Sequence, residues 1–323
     1  MRYIGGFFEL EEEGKTTFSP FHEGALALHS GRACFNYIIQ TLRPKKLYIP
    51  FYCCDALLQP VFENGIEFEF YGIAPDLLPG KKYDLKAGEY FVYVNYFGIC
   101  LRWIDALYQT YGDRLVIDNT QAFFEKKYKD CYSFNSARKF FGAPDGAFIY
   151  GPGLPGKHAD LPVNNNLSIE HLILRKEGKQ EEAYKKFQAY EAQIDSGVRK
   201  ISEYSSHLLS GLDLEFCSEK RWTNYKTYVK LLDKLNSFKF SYSGRGGPHH
   251  YPFLPAKAID RAALAREGIF IPSLWKDVIS RKEPGFDLER TLSAELLPLP
   301  VDHRYNEEDC RKVVNALNVS MNR

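Results

Sequence analysis

From Lys46 to Tyr150 short apolar runs alternate with amphipathic ones, at the rhythm of strands joined by crossover helices. The runs KLYIP (46–50), EFEFYGI (67–73), EYFVYVNY (89–96), RLVI (114–117), YSFN (132–135) and AFIY (147–150) predict strands. DALLQPVFE (55–63) and the stretch 101–110 predict the helices between them. Parallel strands need such crossovers, and these run right-handed. An α/β fold with a mostly parallel sheet flanked by helices follows. Ahead of it, Ala33, Tyr37, Ile38 and Leu42 recur at helical spacing, and Ser30-Gly31 stand where that helix begins.

After Gly151 the pattern changes. A Gly-, Pro- and Asn-rich loop leads to 167–212, which is charged and helical without strand signal. From residue 213 a helix, the strand SFKFSYS (237–243), the turn 244–247 and HHYPFLP follow. RAALAREG, a helix ended by Gly268, then precedes IFIPSLW, a strand, and a last helix capped by Asn306. The expected division is a large α/β domain over 1–212 and a smaller C-terminal α+β domain over 213–323. The acidic run Glu9 to Glu13 reads as a solvated edge.

Several function classes drop out. A net charge of +1 gives no pull toward nucleic acid or anionic membrane. No uncharged apolar run reaches the ~18–20 residues of a membrane span. The N-terminus lacks the basic and apolar regions of a signal peptide. Seven cysteines at irregular spacing, with no zinc pattern, predict reduced thiols in a soluble, cytoplasmic protein. His249 and His250, in a strand-like run, should point to opposite faces, and the other histidines are scattered, so no metal is expected. Gly-x-Ser-x-Gly, the P-loop and the dinucleotide fingerprint are all absent.

What remains lies between Arg114 and Gly151. One strand delivers Asp118 at its carboxyl end, where ligands bind in open α/β sheets, and the loop after another carries Lys139. Either residue alone is explained as well by a strand-end cap or by a surface lysine near Lys126, Lys127 and Lys129. Together they suit pyridoxal phosphate. A lysine amine condenses with its aldehyde, and a carboxylate keeps the pyridine nitrogen protonated, which strengthens the electron sink. Ser30-Gly31-Arg32 offers either an ordinary N-cap or an anion site of helix-start N–H groups plus a guanidinium.

With these residues in view, the sequence resembles the DegT/DnrJ/EryC1/StrS family of fold-type-I pyridoxal-phosphate sugar aminotransferases. Asp118-Asn-Thr-Gln121-Ala is similar to the family's Asp-x-x-Gln-Ala. Ser133-Phe134, Lys139 and Asp145-Gly146 are similar to its Ser-Phe…Lys…Glu-Gly-Gly segment. Ser30-Gly31-Arg32-Ala33 stands at its phosphate turn, and Ile49-Pro50-Phe51-Tyr52 at the strand end that stacks on the cofactor. LPLPVDHRYNEEDCRKVVNAL is similar to its C-terminal signature. The resemblance implies that Lys139 forms the Schiff base, Asp118 pairs with the pyridine nitrogen and Gln121 bonds the ring hydroxyl. It further implies that Ser30, Gly31, Arg32 and Ser133 hold the phosphate, that Tyr52 stacks on the ring, chosen over Cys54 because only it has a π-face, and that Asn95 and Tyr96 lie toward substrate. The family's spacing from Ser133 would select Arg138, but a guanidinium stays charged and forms no Schiff base, so Lys139 is preferred.

By the same resemblance the expected activity is amino transfer from an amino acid donor to a nucleotide-linked keto sugar, in a cytoplasmic homodimer. A cofactor-dependent sugar dehydratase of the same family, or a catalytically silent scaffold with this fold, are the alternatives that the sequence leaves open.

Overall fold

A computed structural model describes residues 3–12, 14, 21–154 and 160–321. Glu13 of the acidic run and part of the loop after Gly151 lie outside the described residues. In chain order the first elements are β1 (Ile4–Gly5), β2 (Leu26–Leu28), α1 (Gly31–Leu42), β3 (Lys46–Pro50), α2 (Asp55–Glu63) and β4 (Glu67–Tyr71). Then come β5 (Glu89–Val94), α3 (Leu101–Tyr111), β6 (Leu115–Asn119), β7 (Tyr132–Asn135) and β8 (Ala147–Tyr150).

Seven of these strands form one sheet in the order β2-β8-β7-β6-β5-β3-β4. All neighbours run parallel except β8, which is antiparallel to β7 and to β2. The mostly parallel sheet expected from the sequence is therefore present, seven-stranded as the fold-type-I resemblance implies. Its central strands are apolar on both faces: Phe91, Val92, Leu115, Val116 and Ile117 are fully buried. At the edge, β4 alternates Glu and Phe and leaves Glu67 exposed. β2 has no signal in the sequence, because three residues carry no period; it is a strand because β8 offers it a ladder.

Register brings the carboxyl ends of three strands level. Val94 pairs with Asp118, Asp118 with Phe134, and Asn119 with Asn135. Asp118 thus stands at the end of a buried central strand, where ligands collect in open α/β sheets.

The chain continues through α4 (Glu170–Lys176), α5 (Gln180–Gln193), α6 (Glu203–Ser210) and α7 (Leu214–Leu232). Next are β9 (His250–Phe253), α8 (Arg261–Arg266), β10 (Ile269–Phe270), α9 (Lys276–Ser280), α10 (Asp287–Glu295), β11 (Leu297–Pro300) and α11 (Glu307–Met321). β9 pairs antiparallel with β11, while β10 pairs with β1, so the first strand of the chain sits among the last elements. Asn306 accepts from Asp309 N at 3.1 Å, as a helix cap does. Among the described residues no helix is long and apolar enough to cross a membrane.

Two local expectations are corrected. The alternating run 237–243 is not a strand, since only its ends find backbone partners: Ser237 N bonds Leu254 O, and Ser243 bonds Ile99 and Leu101. Alternation makes a strand only where a neighbour supplies the ladder. His249 and His250 do not point to opposite faces. β9 begins at His250, so strand alternation does not reach His249, and the two Nδ1 atoms lie 2.9 Å apart.

Candidate active site

The start of α1 abuts the ends of β6 and β7. Ser30 is its N-cap, its hydroxyl accepting from Ala33 N at 3.1 Å. Gly31 lies close against the sheet: a Cβ there would stand 3.1 Å from Thr120 Cγ2 and 3.9 Å from Asn135 O. The Arg32 guanidinium donates to the carbonyl of Ile194, in the segment that follows α5. Ser133 is fully buried, and its hydroxyl has no hydrogen-bond partner among the described residues. Such an orphan is expensive unless something binds it.

Lys139 belongs to a tight turn, 137–139, between β7 and β8. Its Nζ donates to Thr120 Oγ1 at 2.9 Å, and Thr120 in turn hydrogen-bonds Asp118 through its hydroxyl and, at 2.8 Å, through its backbone N–H. An amine, a hydroxyl and a carboxylate are thereby linked in series. Burial pushes the Asp118 carboxyl above its ordinary value, against the pull of Lys139 and of the Thr120 hydrogen bonds. Arg138 turns the other way, donating to Pro144 O at 2.9 Å, pairing with Glu191 and lying over the Tyr190 ring. The residue beside Asp118 is Lys139, the one chosen from the sequence on chemical grounds.

The turn is held by Ala137 N donating to Gly146 O at 2.9 Å, and Gly146 N donates to His29 O. Gly146 has φ +125°, and a Cβ would stand 2.9 Å from Ile201 Cδ1. Gly146→Ala should lower stability by about 1–3 kcal/mol, the cost of a non-glycine residue in that region, measured as the urea midpoint. An unchanged midpoint would show that the turn relaxes freely.

The remaining sequence candidates divide. Gln121 is buried, its Oε1 accepting from Phe97 N at 2.7 Å, and it braces the left-handed turn at Phe97 (φ +56°). Tyr52 does not join the Asp118–Lys139 group. Its ring packs on Tyr96 and edge-on to Trp275, its hydroxyl is buried without a partner among the described residues, and the charges it feels are those of Glu289 and Arg261. Cys54 takes that place instead, feeling Lys139, Asp118 and Arg32, while burial pushes its thiol up. The side chains of Asn95 and Tyr96 are likewise turned inward. Asn95 bonds Asn119 and Cys100 N, and Tyr96 donates to Tyr52 O at 3.0 Å. Both are fully buried, and these bonds brace the β5 end.

Two residues that the sequence did not single out for the site, Thr120 and His249, complete it together with Cys54, the alternative to Tyr52 at the stacking position; His249 Nε2 lies 3.1 Å from Lys139 O. Thr120 lies inside the Asp118–Gln121 segment, so its place was signalled there; nothing local marks His249.

No protein-family model matches the sequence, and no curated protein does. Solved structures do. The PLP-form of Spr1654 from Streptococcus pneumoniae superposes with a TM-score of 0.69 at 14% identity, covering 99% of this chain and 99% of that one. S. venezuelae DesV, solved in complex with a ketimine intermediate, gives 0.64 at 14% identity over 95% of this chain and 91% of that one. A DegT DnrJ EryC1 StrS aminotransferase from Brucella abortus gives 0.62 at 17% identity over 94% and 91%. The chain therefore has, over nearly its whole length, the fold-type-I architecture of these aminotransferases.

Proposed function

We propose that this protein is a pyridoxal-phosphate-dependent aminotransferase that moves an amino group from an amino acid donor to a keto sugar, nucleotide-linked, as a cytoplasmic homodimer. The observation that carries it is the linked set Lys139, Thr120 and Asp118 beside the start of α1. The residues suit the cofactor. Ser30, Gly31, Arg32 and the orphan hydroxyl of Ser133 would hold its phosphate, Asp118 its pyridine nitrogen and Gln121 its ring hydroxyl. Cys54, not Tyr52, would face its ring, which replaces aromatic stacking with a small thiol contact. When bound, pyridoxal phosphate supplies an aldehyde and an electron sink.

The rest of the chemistry falls to the protein. Lys139 Nζ is the amine offered to the aldehyde, and once released it takes the proton from the donor's α-carbon and returns one to the acceptor carbon. Thr120 orients that amine toward Asp118 in the resting state. The Asp118 carboxylate, at the dry end of β6, stabilises positive charge opposite it far better than it would in water.

Purified protein given pyridoxal phosphate should be screened with single amino acids for loss of the visible band of lysine-bound cofactor. At least one donor should discharge it. Binding without discharge by any amino acid would favour the dehydratase or the silent scaffold, and absence of binding would refute the cofactor.

A further inference from the structure

His249 is buried where the elements after α7 meet the sheet, and it grips both sides of the candidate site. Its Nε2 lies 3.1 Å from Lys139 O, and its backbone N–H donates to Phe97 O at 2.8 Å. Phe97 is the residue whose N–H is held by Gln121. On the other side, Nδ1 of His249 lies 2.9 Å from Nδ1 of His250. Arg221, also fully buried, donates to Phe140 O at 2.9 Å and to Pro248 O at 3.3 Å, and its guanidinium lies 4.4 Å from the Phe140 ring centroid. The backbone on both sides of each contact is thus fixed.

The hydrogen positions follow from the partners. A carbonyl oxygen only accepts, so Nε2 of His249 must carry the proton. A neutral imidazole has one N–H, so Nδ1 of His249 is a lone pair, and the N–H between the rings belongs to Nδ1 of His250. Burial keeps both rings neutral: it drives His249 well below its ordinary value, with His250, Arg221 and Lys139 adding to the effect, and brings His250 to about 3.

We infer that His249 is the positioning residue of Lys139, its Nε2–H tautomer set by His250 and its hydrogen bond to the Lys139 carbonyl fixing the approach of the amine to Asp118. The role rests on Lys139 being the amine that meets the cofactor. It gives the elements after α7 a direct hold on the reactive lysine, through one side chain rather than through the intervening chain.

Two measurements test it. Long-range ¹H–¹⁵N correlation on the cofactor-free protein should show His249 protonated at Nε2 and His250 at Nδ1; the reverse pair overturns the proposal. Separately, the rate at which pyridoxal phosphate and borohydride label Lys139 should fall about tenfold in His249→Ala, the scale of one lost buried hydrogen bond. His249→Gln, whose amide N–H can reach the same carbonyl, should return to within about threefold of wild type. A merely structural role would move both variants together with their melting temperatures, and that result overturns the proposal. If His249→Ala fails to fold, His250→Phe, which removes the donor that sets the tautomer, should slow labelling in its place. Label on wild-type Lys139 that His249→Ala leaves unchanged sinks the positioning role alone. No label on wild-type Lys139 sinks the proposed function and the positioning role with it.

Discussion

Lys139→Ala protein, mixed with pyridoxal phosphate, should show no visible band of lysine-bound cofactor and take no borohydride-stable label. Half-transamination with the best donor should fall by at least about 10³-fold, since the variant loses both the covalent attachment and the proton carrier. Arg138→Ala is the necessary companion. Family spacing counted from Ser133 points to position 138, yet the Arg138 side chain is committed to Pro144, Glu191 and Tyr190. The Arg138 variant should therefore keep the label. An intact band in Lys139→Ala, or label on a different peptide, would show that the reactive amine has been misplaced.

The discrepancy of one residue also shows what a sequence can carry. Asp118 was legible because a buried strand ending in a carboxylate is conspicuous, and Lys139 because only an amine has the needed chemistry. The sheet was legible because β3 to β8 are runs whose burial is written in their own composition. Cys54 and Tyr52 were not separable that way. Both follow the end of β3, and which one faces Asp118 depends on Tyr96 and Trp275 packing around the Tyr52 ring, the second a contact made over more than 200 residues of chain. His249 lies still further from local reach. Its partners are Lys139, Phe97 and a neighbouring ring, and its apparent strand position suggested the opposite geometry. Asn95 and Tyr96 sit at a strand end as expected, but the left-handed Phe97 turns the chain so that their side chains brace the fold.

Stability should fall steeply as pH drops from 6.5 toward 5. His22, His171 and His250 are held neutral in the folded state at about 3, about 4 and about 3, in each case first of all by burial. Lys126 adds to the effect on His22, and Arg138 to that on His171. Unfolded, each would titrate near 6.5. Below that value the unfolded chain takes up protons that the folded one refuses, so the stability present above 6.5 is lost as pH falls toward the folded values. The slope is about 1.4 kcal/mol per pH unit for each ring, or about 2 kcal/mol each by pH 5. Three rings together remove about 6 kcal/mol, against a typical total of about 5–15 kcal/mol. Asp118, Glu125 and Glu289 work in the opposite sense, because burial raises their carboxyls and the folded chain protonates first; that gain arrives only as pH nears the carboxylate range. Urea midpoints at pH 7.5, 6.5, 5.5 and 5.0 should fall accordingly, and a flat series would mean that the rings find water or a counter-ion when protonated. His171→Phe isolates one contribution. The ring sits among Phe7, Phe187 and Tyr190, and its Nδ1 has no partner among the described residues, so an apolar ring fits with little loss. Because burial also holds His249 and His29 below their ordinary value, the variant should lose less than a third of the pH slope while matching wild type at pH 7.5.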